Sequence, residues 1–451
     1  MKVSSLLISI MITCASFSVK AQPQSAGPLK FSLNEARDYA MKNSPLLLNS
    51  ARDVEIAKKR IWENKATGLP QANLSSAYSY SPKLAGLTQV LTGASDTTGG
   101  NGNPFGFTFN PEDFKTSFSL DIRVNQLIFS GEYLVGLKAA KVYAGLSEMA
   151  NSKSKIGLRE NITDTYFIVL IDRQGKGILD SSLAVVQKTL FETGQMFKNG
   201  FVESTDVDQL KILESNIKSS LSVKERQIEL EERLLKFQMG IAIDQPIELT
   251  DQIEPLVGMM NLEAAVMDSF RIEDNVDYRI LDTQEKLMKL NMKIKMAQFL
   301  PTIGGYYNRH EDFDHNFFND LSPNMLGLSL SFPLWSSGQR LSQVGQSRLE
   351  YLKAQTDKEM VSDNLLIQYE TAISGFLSAR DIYAMQKESR DLALRIYKKS
   401  IAKFKEGMGS SLDLNQTQTQ FFTAESNYFG ALFSLVSAKS KLESLLAKSE
   451  N

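Results

Sequence analysis

A tandem duplication limits the folds open to this chain more than any other feature. FKNGFVESTDVDQ at 197–209 reappears as FKEGMGSSLDLNQ at 404–416, an offset of 207 residues. At the same offset Leu127-Ile128-Phe129-Ser130-Gly131 meets Leu334-Trp335-Ser336-Ser337-Gly338, and Arg173 meets Arg380. Upstream, Gly68-Leu69-Pro70 answers Phe299-Leu300-Pro301 and Asn43-Ser44 answers Asp274-Asn275, both at an offset of 231, so the first copy carries 24 extra residues between Pro70 and Gly131. Landmarks repeated in one order mean two copies of one structural unit.

Each unit changes its hydrophobic period twice. From Ser32 to Thr67 apolar residues recur at helical spacing, with Ser32 or Asn34 as cap and Pro70 as terminator. The pattern then alternates in LSSAYSYS and again in SFSLDIRV, where Phe118, Leu120, Ile122 and Val124 interleave with Ser119, Asp121 and Arg123. The second copy repeats this in GLSLSFPL through Leu328, Leu330 and Phe332. A one-residue difference before Leu127 and Leu334 predicts a bulge or a proline-broken exit. Beyond Gly131 and Gly338 the alternation stops. With no proline from Glu112 to Gln245 or after Leu334, each stretch is helical, and 131 to 200 spans about 100 Å at 1.5 Å per residue.

Leu414, Phe421, Tyr428, Leu435 and Leu442 lie seven apart, and their first-copy counterparts are Val207, Glu214, Leu221, Ile228 and Leu235. This is coiled-coil spacing. The repeated FKNG and FKEG segments are therefore turns between antiparallel helices, with Gly200 and Gly407 as C-cap glycines and Ser204-Thr205 or Ser410-Ser411 recapping the returning helix. Two strands per copy give four per chain, too few to close a barrel, so the sheet needs further subunits. Three copies would supply roughly 12.

MKVSSLLISIMITCASFSVKAQ combines an early lysine, an apolar run and the small-residue pattern Val19-Lys20-Ala21, a signal peptide over 1–21. The single cysteine, Cys14, falls inside it, and lipoprotein cleavage there is the alternative. No apolar run after it is long enough for a transmembrane helix, which leaves a β-barrel as the route across a membrane. A net charge of −2 with interspersed signs gives no nucleic-acid footprint. No nucleophile elbow or phosphate-binding glycine loop occurs, so neither an enzyme nor a cofactor is expected.

The ordered pairs (Leu-Pro before the first strand, LIFSG and PLWSSG, the FKNG and FKEG tips) resemble the TolC-like outer-membrane efflux protein family over about Leu33 to Leu446. The resemblance implies a mainly α fold with a small β part: long antiparallel coiled-coil hairpins plus four transmembrane strands per chain, assembled as a trimeric β-barrel and α-barrel. It divides the chain into a first helix-strand-strand-helix repeat at 22–240 (strands near 71–80 and 116–129, tip near 200–206), a linker at 241–261 and a second repeat at 262–451 (strands near 302–310 and 325–335, tip near 407–413). The implied function is a passive exit duct of a tripartite efflux or type I secretion system in the outer membrane, with a large periplasmic part. Its partners would be a periplasmic adaptor, an inner-membrane transporter and outer-membrane lipid. A coiled-coil scaffold without a pore, periplasmic or surface-attached, is the rival.

The resemblance places gate or pore carboxylates at Asp206, Asp208 and Asp413, where a ring would concentrate cations. The family's second acidic position is Gln416 here, and helix capping alone also accounts for Asp206 and Asp413. Adaptor contact would fall on Gly200, Ser204, Thr205, Gly407, Ser410 and Ser411. Tyr78, Tyr80, Phe129, Tyr306 and Trp335 are the candidate membrane-interface aromatics. HEDFDH at 310–315 reads as a solvated loop rather than a metal site, and the glycine- and asparagine-rich 99–113 as an exposed loop or an inward lid.

Overall fold

The computed structural model describes residues 27–80, 116–259, 270–313 and 323–447. The signal peptide with Cys14, the 99–113 loop and the Asp314-His315 end of HEDFDH lie outside them. In chain order the elements are β1 (Leu29–Phe31), α1 (Leu33–Asn43), α2 (Pro45–Ala66), β2 (Gln71–Tyr80), β3 (Thr116–Ser130), α3 (Gly131–Lys198), α4 (Ser204–Met239), β4 (Ile247–Leu249), α5 (Ile253–Met259), α6 (Val276–Ala297), β5 (Thr302–Asp312), β6 (Asn324–Ser331), α7 (Gln339–Lys405) and α8 (Ser411–Leu446).

Local chemistry explains the boundaries. Ser32 and Glu35 form a reciprocal capping box at the start of α1, and Pro45 opens α2, where its missing N–H costs nothing. Asn275 caps α6 by accepting from the backbone N–H groups of Asp277 and Tyr278. At 68 and 67 residues, α3 and α7 each run about 100 Å. They fold back on α4 and α8, so the chain forms two long antiparallel hairpins packed against each other.

The heptad column is the core of these hairpins. Leu414, Phe421, Tyr428, Leu435 and Leu442 are all buried, each contributing about 1.5–3 kcal/mol for the aliphatic members by removal from water. Near the tips the two hairpins share one apolar cluster containing Val186, Leu210, Leu213, Ile217, Tyr397, Leu414 and Phe421. Higher up, α1, α3, α4 and α8 meet around Tyr166, Phe167, Leu235 and Leu432. Arg173 and Arg380, matched in the duplication, diverge in use: Arg173 crosses to Glu232 on α4, whereas Arg380 pairs with its neighbour Asp381.

The linker does more than separate helices. Its β4 pairs in parallel with β1, Leu29 opposite Ile247 and Phe31 opposite Leu249. Asp251 accepts from the backbone N–H of Leu33 at 2.7 Å and from the hydroxyl of fully buried Tyr166 at 3.0 Å. Pro255 sits in the first turn of α5, where proline is tolerated.

The other sheet has strand order β2-β3-β5-β6, antiparallel throughout. Its register slips between Leu127 and Phe129, which puts the bulge at Ile128. β6 stops at Ser331, short of the expected 335, because Pro333 cannot donate to a ladder; Leu334 and Trp335 follow in an irregular exit.

Candidate functional site

Two surfaces carry the functional candidates, the sheet and the hairpin tips. Directly opposed residues in an antiparallel ladder share a face. One face therefore holds Leu74, Tyr78, Ile122, Val124, Tyr307, Leu326, Leu328 and Leu330. The other holds Ser75, Asp121, Arg123, Asn308, His310 and Ser329. Among the described residues nothing covers the apolar face: Leu326, Leu328 and Leu330 are 84, 78 and 69% exposed. Water tolerates such a continuous apolar band poorly. Among the described residues the outer edges of β2 and β6 are unpaired.

On the polar face His310 Nδ1 lies 2.8 Å from Asp121 Oδ1. Glu311 pairs with Arg309 on the opposite face, near the strand ends. The described half of HEDFDH thus consists of strand residues, contrary to the loop expected from sequence. Among the described residues no group of three or more histidine, cysteine or acidic side chains could hold a metal ion.

The aromatic candidates separate. Tyr78 and Tyr80 lie at the loop end of the apolar face, exposed, and Phe129 lies opposite Ile303 at the helix end. Tyr306 points to the polar face, where its ring covers Gly327 so closely that a Cβ there would meet ring atoms at 2.5 Å. Trp335 is 86% exposed but outside the strand.

Both tips close in the same way. Gly200 and Gly407 adopt φ of +77 and +72°, and each donates to the carbonyl three residues back, Phe197 or Phe404. Phe201 and Met408 then donate to Met196 and Lys403 at 2.9 Å, completing two Schellman motifs. The recapping differs. Ser410 accepts from the N–H of Asp413 at 3.1 Å, but the first hairpin is capped at Glu203, whose side chain makes no backbone bond and accepts from Thr205 instead. Ser204 and Ser411 are the first helical residues rather than caps.

The tips also touch each other. The buried Ser411 hydroxyl donates to Asp206 Oδ1 across the two hairpins, and the Gln209 side chain lies 2.8 Å from the same hydroxyl. Asp206 is thereby committed to an inter-hairpin contact that no sequence signal announced. Asp208 is exposed and pairs with Lys211 at 3.0 Å. Asp413 is exposed, with the Ser400 hydroxyl at 3.4 Å. The three carboxylates occupy one end of the molecule without converging in a single chain.

No helix among the described residues is long and apolar enough to cross a membrane, a statement that leaves the sheet untouched. A family model described as outer membrane efflux protein matches residues 284–448, from within α6 into α8. The chain is 23% identical over 377 residues to the outer membrane protein TolC of Salmonella enteritidis, covering 78% of this chain and 68% of that one. It is 20% identical over 404 residues to the outer membrane efflux protein BepC of Brucella suis, covering 88 and 81%. Among solved structures, the outer membrane protein VceC of Vibrio cholerae superposes with a TM-score of 0.68 at 15% identity, over 93% of this chain and 97% of that one. The CmeC outer membrane channel of Campylobacter jejuni gives 0.71 at 14% identity, over 92 and 85%.

Proposed function

We propose that this chain, which resembles outer membrane efflux proteins in sequence and fold, works as the exit duct through which an efflux or secretion system passes its cargo across the outer membrane. The observation that carries the reading is the four-stranded sheet, which among the described residues has one uncovered apolar face, one polar face and two open edges, attached to hairpins about 100 Å long. Three copies edge to edge would close a barrel of roughly 12 strands, with Leu326, Leu328 and Leu330 toward lipid and the Asp121–His310 face toward a water-filled interior. Closure removes both edges and gives the apolar band an apolar solvent, two costs a lone chain bears in full.

The helical hairpins would continue the barrel as a periplasmic tunnel, with an adaptor docking at the tips and a transporter supplying energy. The duct itself is passive, and the reading gives this chain no catalytic step. Tyr78, Tyr80 and Phe129 then mark the two membrane interfaces. Asp208 and Asp413 face the narrow end, where repeated carboxylates would favour cations.

Reconstitution into planar bilayers tests this. A heat-modifiable trimer from the outer-membrane detergent fraction with discrete single-channel conductance is expected. A water-soluble elongated oligomer without conductance would replace the duct with the scaffold.

A further inference from the structure

The apolar face of the sheet carries one ion pair. Among the described residues on that face only Arg309 and Glu311 are charged, the arginine exposed and the glutamate partly so. Glu311 Oε1 accepts from Arg309 Nε at 2.9 Å and from Nη2, which leaves Nη1 and both its N–H groups without a partner among the described residues. Asn324 stands directly opposite Arg309 on β6 and accepts from the Tyr307 hydroxyl at 2.7 Å. The loop end of the β5–β6 ladder is therefore polar on the side where its other end is leucine.

The other neighbours of the pair are apolar. Across the ladder to β3, Arg309 faces Ile122 and Glu311 faces Leu120. One row further out Phe118 lies opposite Tyr78, and its ring meets that of Phe313 at 5.2 Å. On β2 and β3 the apolar surface thus continues past the level at which β5 becomes charged. From Ile303 to Arg309 β5 advances about 20 Å. That is less than the roughly 25 Å apolar band of an outer-membrane barrel. The guanidinium enters such a band from its loop end, walled on one side by Ile122, Leu120 and Phe118. An ion there is costly unless a polar group reaches it, and on a lipid-facing surface that group comes from a lipid.

We propose that Arg309 is a docking site for the phosphate of a membrane lipid, with Glu311 orienting the guanidinium and an acyl chain lying along Ile122, Leu120 and Phe118. A guanidinium fork matches a phosphate as it matches no ester or hydroxyl headgroup. Free phosphate would satisfy the charge but leave the apolar wall uncovered, so the lipid is the occupant that fits both halves of the site. The proposal rests on the duct reading, because closure of the sheet into a barrel is what turns this face to lipid.

Native mass spectrometry of the full-length protein, released from detergent micelles doped with dipalmitoyl phosphatidic acid or with dipalmitoylglycerol, tests this. The phosphatidic acid is expected to be retained about tenfold more than the diacylglycerol, and Arg309→Gln to erase the difference. Glu311→Gln frees the whole guanidinium for phosphate and should keep or strengthen retention. Loss of retention in both variants alike would make the pair merely structural and overturn the proposal. So would equal retention of the two lipids by the native chain, or an undiminished preference in Arg309→Gln. Excess inorganic phosphate should leave the lipid in place, and displacement would overturn the lipid in favour of a simple anion site. Should Arg309→Gln fail to assemble, Asn324→Asp takes its place: a carboxylate opposite the guanidinium should likewise abolish the preference, and an undiminished one refutes the site. A conducting trimer without phosphate preference keeps the duct and loses the site, and a non-conducting protein with an Arg309-dependent preference does the reverse.

Discussion

Gly240 ends α4 with φ of +76°, and a Cβ built on it would lie 2.2 Å from the carbonyl oxygen of Asn43 and 3.2 Å from the Cδ of Pro45. Gly200 and Gly407 have nearly the same φ but open space around them. Alanine at either tip therefore incurs only the left-handed backbone cost of about 1–2 kcal/mol. At 240 the new methyl must also push the α1–α2 junction away by about 1 Å to reach ordinary contact distance, an overpacking cost of about 1–3 kcal/mol more. Gly240→Ala should then destabilise by about 2–5 kcal/mol in all. It should also raise exchange at Ile247–Leu249 and around Ser44, which the tip variants should not. Thermal unfolding in detergent followed by circular dichroism, with hydrogen exchange on all three variants, measures both effects. Equal destabilisation by Gly240→Ala and Gly407→Ala would refute the argument that backbone contact, rather than conformation, demands this glycine.

Other outcomes follow from the faces and the charges. Leu328→Arg, on the exposed apolar face, should cost about 2–4 kcal/mol in a bilayer and lower the yield of heat-modifiable trimer. Ser329→Arg, one residue on and facing the other way, should assemble normally; equal yields would remove the lipid-facing assignment. In bilayer recordings Asp413→Asn and Asp208→Asn should weaken block by polyvalent cations, and unchanged block would take them out of the pore. Asp206→Asn should act mainly by loosening the Ser411 contact, read as faster exchange at the tips. Glu231 on α4 has its carboxyl pushed up to about 7, by burial first and then by Asp172 on α3. A raised folded-state pKa means the folded chain holds a proton the unfolded chain has released, so this stabilisation is full below the unfolded value near 4.5 and lost as pH rises through about 7. Glu231→Gln should flatten thermal stability against pH over that window, and an unaltered slope would place the proton elsewhere.

Several features were written in local pattern. The duplicated order, the two-residue period of SFSLDIRV and the heptad from Leu414 to Leu442 each repeat a short physical rule many times, so noise at one position, such as Glu214, does not hide them. The tip glycines were equally legible, because a helix that turns back needs a left-handed residue and FKNG and FKEG offer one at the same place. The Asp251 latch and the parallel pairing of Leu29–Phe31 with Ile247–Leu249 were not, since three-residue strands joined across a long loop leave no period to read. The face occupied by Tyr306 followed from the register of β5 against β6, and the end of β6 from Pro333. Nor did heptad arithmetic on one helix reveal that the polar Gln418 and Glu425 are buried.

Sequence by itself determined the periods: which stretches are helix, which are strand, where each turns, and that the unit occurs twice. Tertiary structure alone decided which surface of each element meets another, because that depends on register and packing between segments hundreds of residues apart. Thus the Ser411 hydroxyl reaches Asp206, the Gly240 backbone presses on Asn43, and the leucines of β6 are left without cover from any of the described residues.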